Sequence, residues 1–423
     1  MTRPPRVFLG LGEVAGYYRG LREGFDAIGV ESHFVDLGVH RFDYGGADPN
    51  LLADLYKALR AQKDGLAGRL GRALGRAPRL ALLAWAAQRF DVFVFGFAQS
   101  FIAHYRDLAV LRALGKTVIL QFHGSDTRAP YMDGSVMASD RGRTIADAIA
   151  LTAAKKRALV EMERHASALV NIPPQGVLHA RRFVDWMHVG IPAKPREVPT
   201  RDALAAPRRP GPIRVLHSPS HPEAKGTPRI RAAVERLRAE GLELTLVELS
   251  GRPNAEVLAA LADADVVVDQ LYSDYPSPGF ATEAAWFGRP VILGGYATAL
   301  WRRRLTPETH PGTCYVEPDA LEATLASLVA DEGRRREQGA RARDFVETVW
   351  APARVAERYL RVARGDVPDA WWCEPSTFDY WEGACQPAAR TRALARAMVE
   401  AGGLGALQLD DKPALRARLL GEG

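Results

Sequence analysis

From Arg6 onward the chain alternates short apolar, β-branched runs with amphipathic helical stretches, and it does so in two separate series. The first series reads RVFLGLG, a helix through YYRGLREGFDAIG, ESHFVDL, a helix near residues 50–62, DVFVFGF, a helix through FIAHYRDLAVLRALG, and TVILQFHG. It continues with a long helix over 144–166, a strand at ALVNIP and a further strand at DWMHVGI. The second begins at IRVLHSPS and continues through the helix GTPRIRAAVERLRAEG, LELTLVEL, the helix NAEVLAALADA, ADVVVDQL, the helix ATEAAWFG, RPVILGG, CYVEP and closing helices up to residue 363. Strands this apolar, each followed by a helix, belong in parallel sheets covered on both faces. Between the series, PAKPREVPTRDALAAPRRPGP is rich in proline and charge and has no apolar period, so residues 192–212 read as a linker.

A chain of 423 residues is too long for one ordinary core, which agrees with a two-domain reading. The expected fold class is α/β, with two Rossmann-like, doubly wound parallel-sheet domains facing a cleft. The boundaries are 1–191, 192–212 for the linker, 213–365, and 366–423 for a C-terminal extension that either packs back on the first domain or adds a surface. A net charge of +6 suits an anionic partner without choosing among nucleotide, membrane and nucleic acid. Cys314, Cys373 and Cys385 are odd in number and lack CxxC spacing, and the longest apolar runs fall short of the roughly 20 residues of a spanning helix. A cytoplasmic location follows, with membrane contact at most peripheral.

Two segments carry candidate chemistry. In HSPSHPEAKGTPRI, Lys225, Gly226 and Thr227 stand where the first strand of the second series turns into a helix. Ligands of doubly wound sheets bind at such strand ends, and a lysine beside the free amides of a helix start can grip a diphosphate. In DQLYSDYPSPGFATEAAWFGRPVILGG, a Pro/Gly loop opens a helix bearing Thr282 and Glu283. A carboxylate there can accept two hydrogen bonds from a vicinal diol such as a ribose, at roughly 1.5 to 3 kcal/mol each. The bland reading of either residue is a helix-start charge that complements the dipole.

Together, HSPSHPEAKGT, ADVVVDQL and TEAAWFGRPVI resemble the donor half of retaining glycosyltransferases of family four, which have the GT-B architecture. DVFVFGFAQSFIAHYRDLAVLRALGKTVILQFHGSDTR is similar to the corresponding first half. The resemblance runs in order over residues 6–363. It implies that Lys225 and Gly226 hold the donor diphosphate and Glu283 the ribose hydroxyls. The amides of Gly279, Phe280 and Ala281, beside Thr282, would face phosphates and sugar, and His123 would lie near the donor sugar. Gly12 and Gly16 would let the backbone approach diphosphate and acceptor. It further implies a nucleotide-diphosphate sugar as co-substrate with no cofactor and no metal, and a glycan, lipid-linked or small-molecule hydroxyl as acceptor. The leaving diphosphate would take the acceptor proton, so no protein base is needed.

This chain departs from the family pattern at three places, the third being the proline-rich loop SDYPSPGF, which would set the sugar differently. Eight positions before Glu283, where family members carry a first glutamate, stands Tyr275, with Asp274 beside it. Five positions before Lys225, where an arginine is common, stands Ser220, leaving the diphosphate to Lys225 and to His221 or an arginine from elsewhere. The first departure admits a non-catalytic nucleotide-sugar-binding or scaffolding protein as the alternative. A sugar-nucleotide epimerase is a further one, though the cluster of acid/base groups it needs is not found.

Other patterns read blandly. Asp263 and Asp265 match a metal-binding Asp-x-Asp but sit at a helix end, and His217 and His221 straddle a strand and a loop rather than one helix face. Gly10, Gly12 and Gly16 with Asp36 imitate a dinucleotide fingerprint with one residue too many. In GLAGRLGRALGRAPR, Leu66, Leu70 and Leu74 form one helical stripe and Arg69, Arg72 and Arg76 another, a pattern that suits an anionic membrane surface or a basic helix packed on the domain. No aromatic platform accompanies the scattered arginines, so nucleic acid is not expected as a partner.

Overall fold

A computed structural model describes residues 3–38, 44–61, 71, 74–137, 142–205, 209–307 and 309–422. In chain order the strands among them are β1 (Val7–Leu11), β2 (Ser32–Asp36), β3 (Val92–Gly96), β4 (Thr117–Gln121), β5 (Ala168–Asn171) and β6 (Phe183–Asp185). They continue with β7 (Ile213–His217), β8 (Leu244–Glu248), β9 (Val266–Gln270), β10 (Val291–Gly294), β11 (Cys314–Val316) and β12 (Trp372–Cys373). The chain forms two compact units that do not follow sequence order. One holds residues 1–127, 155–193 and 352–375, and the other holds 128–154, 194–351 and 376–423.

In the first unit the strand order is β12-β6-β5-β4-β3-β1-β2, parallel except for the short β12, which pairs antiparallel with β6. Phe8, Phe90, Phe93, Phe95 and Phe101 pack ring against ring beneath the sheet. A buried polar chain lies on the other face of the sheet, where Gln121 points. Trp186 Nε1 donates to the Tyr17 hydroxyl at 3.0 Å, Tyr17 and Tyr359 share a hydrogen bond at 2.8 Å, and Tyr359 donates to Gln121 Oε1 at 2.7 Å. Each buried hydroxyl is satisfied, as burial requires. The strand expected over DWMHVGI stops at Asp185, because the Asp185 carboxylate accepts the Met187 amide and caps a short helix, Trp186–Val189.

Residues 352–375 join this unit through the helix Pro352–Arg364, which lies on the helix Tyr17–Ala27. Glycines on Tyr17–Ala27 permit two close approaches, Gly24 that of this helix and Gly20 that of the chain at Pro192. A Cβ on Gly20 would stand 1.9 Å from the Pro192 carbonyl oxygen, and one on Gly24 only 2.1 Å from that of Pro352.

In the second unit the order is β11-β10-β9-β7-β8, all parallel. The chain winds outward from β7 to β8 and then returns past it to β9, so the strand order reverses between β7 and β9. At such a point the loops leaving two neighbouring strands part and open a crevice. Val215, Ile230, Val234, Val266, Val268, Ile292 and Leu325 form the core. Residues 128–154 and 376–423 complete the unit together: Gln386 Nε2 donates to the Tyr131 carbonyl at 2.5 Å, and Arg390 Nη2 to that of Met137 at 3.1 Å. No helix among the described residues is long and apolar enough to cross a membrane.

Gly24→Ala should cost the first unit about 3 kcal/mol, since the collision is with backbone that cannot yield as a flexible side chain would. A urea midpoint unchanged from wild type would show that the two helices do not pack this closely.

Candidate functional site

At the end of β7 the chain makes one helical turn, Pro222–Lys225, and then enters the helix Thr227–Ala239 through Gly226, whose φ of 79° is left-handed. Gly226 also lacks room: a Cβ there would stand 2.8 Å from that of Leu271. The loop is thereby pressed onto the end of β9, where the Leu271 amide donates to the Lys225 carbonyl at 3.0 Å. Lys225 Nζ donates to Gln270 Oε1 at 2.5 Å. Partial burial pulls the Lys225 pKa below the ordinary lysine value, the Asp269 carboxylate opposes that shift, and the Arg128 charge adds to it.

Asp269 is buried beside Gln270 and is held by two groups. Burial raises its pKa, against the attraction of Lys225 and the Ala281 amide, which donates to Oδ2 at 3.2 Å. His217 pins the same region from below. Its Nδ1 faces the Val268 carbonyl, which can only accept, so Nδ1 carries the proton and Nε2 accepts from the Thr227 hydroxyl, each at 2.8 Å. Burial pushes this imidazole down to about 4, leaving it neutral. His217 is thus a structural pin, and no group of three His, Cys, Asp or Glu side chains placed to hold an ion occurs among the described residues. Asp263 pairs with Arg209, and Asp265 accepts the Arg214 amide at 2.8 Å.

Beyond β9 the helix Gly279–Trp286 starts at the neighbouring strand end. Its Glu283 is buried, and Oε1 accepts from Asn254 Nδ2 at 2.9 Å. Asn254 opens the helix after β8, so the ends of β8, β7 and β9 all contribute. Thr282 turns its hydroxyl back to the Pro278 carbonyl at 3.1 Å, and the Ala281 amide is taken by Asp269, so these two serve the helix start itself. Gly279 and Phe280 are half-buried at its tip.

The loop between β9 and this helix is tied from several sides. Arg128 Nε donates to Asp274 Oδ2 at 2.9 Å, Nη2 binds the same oxygen, and Nη1 donates to Asp133 at 3.2 Å. The Tyr380 hydroxyl reaches Asp274 Oδ1 at 3.4 Å. Trp301 Nε1 donates to the Asp274 carbonyl at 2.9 Å, and Tyr315 to that of Ser273 at 2.6 Å. Asp274 is therefore committed to Arg128, and Tyr275 beside it is half-buried.

In the first unit the equivalent reversal of strand order lies between β1 and β3. Gly12 and Gly16 follow β1. A Cβ on Gly12 would meet the Gln99 side-chain amide at 2.9 Å, while Gly16, with φ 76°, starts the helix Tyr17–Ala27. Between them Glu13 is buried with its carboxylate over the helix N-terminus, accepting the amides of Val14 at 2.7 Å, Tyr18 at 3.2 Å and Arg19 at 2.9 Å. Burial raises its pKa to about 7 although the three amides and Arg19 hold it back. His123, after β4, accepts or donates at Nε2 to the Tyr18 hydroxyl at 3.2 Å and is ringed by Tyr17, Tyr18 and Trp186. Burial lowers its pKa to about 3, so it is a neutral hydrogen-bonding group.

No protein-family model matches the chain, and no curated protein matches it either. Solved structures do. The catalytic domain of starch synthase IV from Arabidopsis thaliana, bound to ADP and acarbose, superposes with a TM-score of 0.51 at 12% identity, over 86% of this chain and 99% of that one. The fold is GT-B. Anabaena HepE in complex with UDP and glucose matches with a TM-score of 0.48 at 12% identity, over 86% and 100% of the two chains. A UDP-N-acetylglucosamine 2-epimerase matches at 0.42 and 10% identity, over 87% and 98%. At such identities the likeness is one of fold, and function has to be argued from the site.

Within this GT-B chain, sequence reasoning missed Asp269, Gln270, Asn254 and Arg128. The signal for the first two was present, since two polar residues end an otherwise apolar buried strand, VVVDQ. Of the basic segment after residue 61, Arg69 and Arg72 lie outside the described residues, and Arg76 begins the helix Arg76–Arg89. A cavity of 660 Å³ in the second unit lies at the opposite strand ends, near Arg214 and Pro290. Its arginines have structural partners: Arg289 binds the Leu261 and Ala262 carbonyls, Arg335 those of Leu328 and Val329, and Arg201 pairs with Asp344. It is remote from Lys225 and carries no chemistry of the site.

Two predictions follow from the electrostatics. Glu13 has a folded pKa above its ordinary 4.5, so its contribution is full below that value and is lost as pH rises through about 7. The loss amounts to roughly 3 kcal/mol at most. Urea denaturation at about pH 5 and about pH 8 should show Glu13→Gln gaining on wild type at the higher pH, and parallel curves would refute the assignment. Arg128→Ala leaves Asp133 and Asp274 buried without their cation, at a cost of roughly 3 to 5 kcal/mol. The double variant with Asp274→Asn should recover part of this, and simple additivity of the two losses would mean that the pair is not coupled.

Proposed function

We propose that the chain is a glycosyltransferase that moves a sugar from a nucleotide-diphosphate donor to a hydroxyl acceptor, with retention at the anomeric carbon and without a metal ion or other cofactor. One observation carries the reading. A lysine ammonium and a buried carboxylate stand on the loops that leave β7 and β9, the neighbouring strands between which the order reverses. Lys225 is partly desolvated, and an anion would find it a stronger partner than a lysine in water. Its hydrogen-bond partner Gln270 is neutral, so the ammonium can turn from the amide to a diphosphate while the Ala281 amide stays on Asp269. Glu283 Oε1 accepts from Asn254 Nδ2, and the hydroxyls of a ribose diol are donors of the kind that a carboxylate accepts from.

In this reading the Lys225 ammonium stabilises charge that grows on the leaving diphosphate, which is where electrostatic catalysis acts. The half-buried tip at Gly279 and Phe280 is the donor-facing end of its helix. Any role of His123 is that of an uncharged imidazole, because burial keeps it deprotonated at neutral pH. Commitment of Asp274 to Arg128 favours a second reading, in which the chain binds a nucleotide sugar without turning it over. Binding without product or donor hydrolysis separates that reading from the first.

The test is a thermal-shift screen with UDP, GDP, ADP, TDP and their sugars. A ligand at about 100 times its dissociation constant stabilises by roughly 2.7 kcal/mol, which for a unit of this size is a rise of roughly 5 °C or more. Lys225→Ala and Glu283→Gln should abolish the rise. Variants that respond as fully as wild type would show that the donor site is elsewhere.

A further inference from the structure

The helices Leu51–Arg60 and Arg76–Arg89 form a close pair in the first unit. A Cβ on Gly71 would fall 2.1 Å from the Leu59 carbonyl oxygen, and one on Gly75 would lie 3.7 Å from the Arg60 and Tyr56 side chains. Further on, Arg79 Nη1 donates to the Tyr56 hydroxyl at 3.3 Å, so the second helix runs back along the first. Ala53 and Tyr56 on one helix, and Pro78, Leu82, Leu83, Ala86 and Ala87 on the other, are buried.

The outward face is apolar as well. Leu51 is 82% exposed, Leu55 47% and Leu80 51%, and Leu74, two residues before the second helix, is 50% exposed, so four of the nine large apolar side chains exposed among the described residues lie on this pair or at its edge. Ala58, Ala77, Ala81 and Ala84 are exposed between them. A single exposed leucine needs no explanation, but a concentration of this kind marks a surface that is covered in use.

Charge decides by what. The two helices carry Lys57, Arg60, Arg76, Arg79 and Arg89 against the single acid Asp54. Arg79 is turned inward to the Tyr56 hydroxyl and the Ser100 carbonyl and Arg89 pairs with Glu31 at 3.2 Å, while Arg60 and Arg76 are exposed. A second copy of the chain would set the same excess of base against itself. The outward leucines and alanines also present no aromatic or arginine anchor set in a pocket, which a protein partner would favour. Leucines bordered by arginines match the acyl boundary and phosphates of an anionic bilayer.

We propose that this helical pair docks the chain on an anionic lipid surface, with Leu51, Leu55, Leu74 and Leu80 entering the acyl boundary and Arg60 and Arg76 on headgroup phosphates. The inference goes beyond the transfer reading and stands whether or not that reading holds. It is tested by co-sedimenting the full chain with vesicles of phosphatidylglycerol and phosphatidylcholine, and with vesicles of phosphatidylcholine alone. Wild type should partition onto the anionic vesicles and leave the neutral ones largely bare. Leu51→Glu/Leu80→Glu should lower partitioning at least tenfold, and Arg60→Gln and Arg76→Gln by about fivefold each, all with unchanged circular dichroism. Three results would overturn the proposal: no partitioning of wild type, equal partitioning of wild type and variants, or a dimer lost in the leucine variant with no lipid binding.

Discussion

The carboxylate of Asp269 sits at the end of a strand whose preceding residues are all valine, and its placement organises the second unit's strand ends. A buried charge of this kind is tolerable only with partners. Here they come from both sides: an ammonium on the loop after β7 and an amide at the start of the helix after β9. The two loops that a reversal in strand order drives apart are therefore referred to one group. His217 and Gly226 act in the same sense, the first joining β9 to the helix start and the second admitting the Leu271 side chain.

Around this centre the unit is assembled from distant parts of the chain. Arg128 leaves the end of the first β/α series and meets Asp274, 146 positions further on, while Tyr380 closes on the same carboxylate. A guanidinium between two aspartates in a low-dielectric setting contributes strongly to geometry even where desolvation offsets its net contribution to stability. The loop from Ser273 to Pro278 is fixed by this ion cluster, by Trp301 and Tyr315, and less by its own prolines.

Periodicity made the two parallel sheets legible, because an apolar strand followed by an amphipathic helix has few other uses. Where local chemistry competed with periodicity, the pattern misled. DWMHVGI has the alternation of a strand, yet the Asp185 carboxylate caps Met187 and turns the chain into a helix. Lys225 and Glu283 stood out as charges at strand ends, whereas Asp269 and Gln270 read as the continuation of a strand. Arg128 was hidden for a different reason: its partners are far away in sequence, and no local spacing encodes a tertiary ion pair. The same holds for residues 128–154 and 376–423, whose association depends on bonds such as that from Gln386 to Tyr131.

The glycine that lets the helix Pro352–Arg364 lie on Tyr17–Ala27 bears on how the chain is made. The first unit takes its last strand from Trp372 and Cys373, so a ribosome must deliver the chain through Cys373 before the earliest segment can close its core. Until residues 352–364 emerge, the bed at Gly24 stays uncovered on the nascent chain. Vectorial synthesis thus confers little head start on residues 1–127, whose sheet waits for a strand made about 245 positions later.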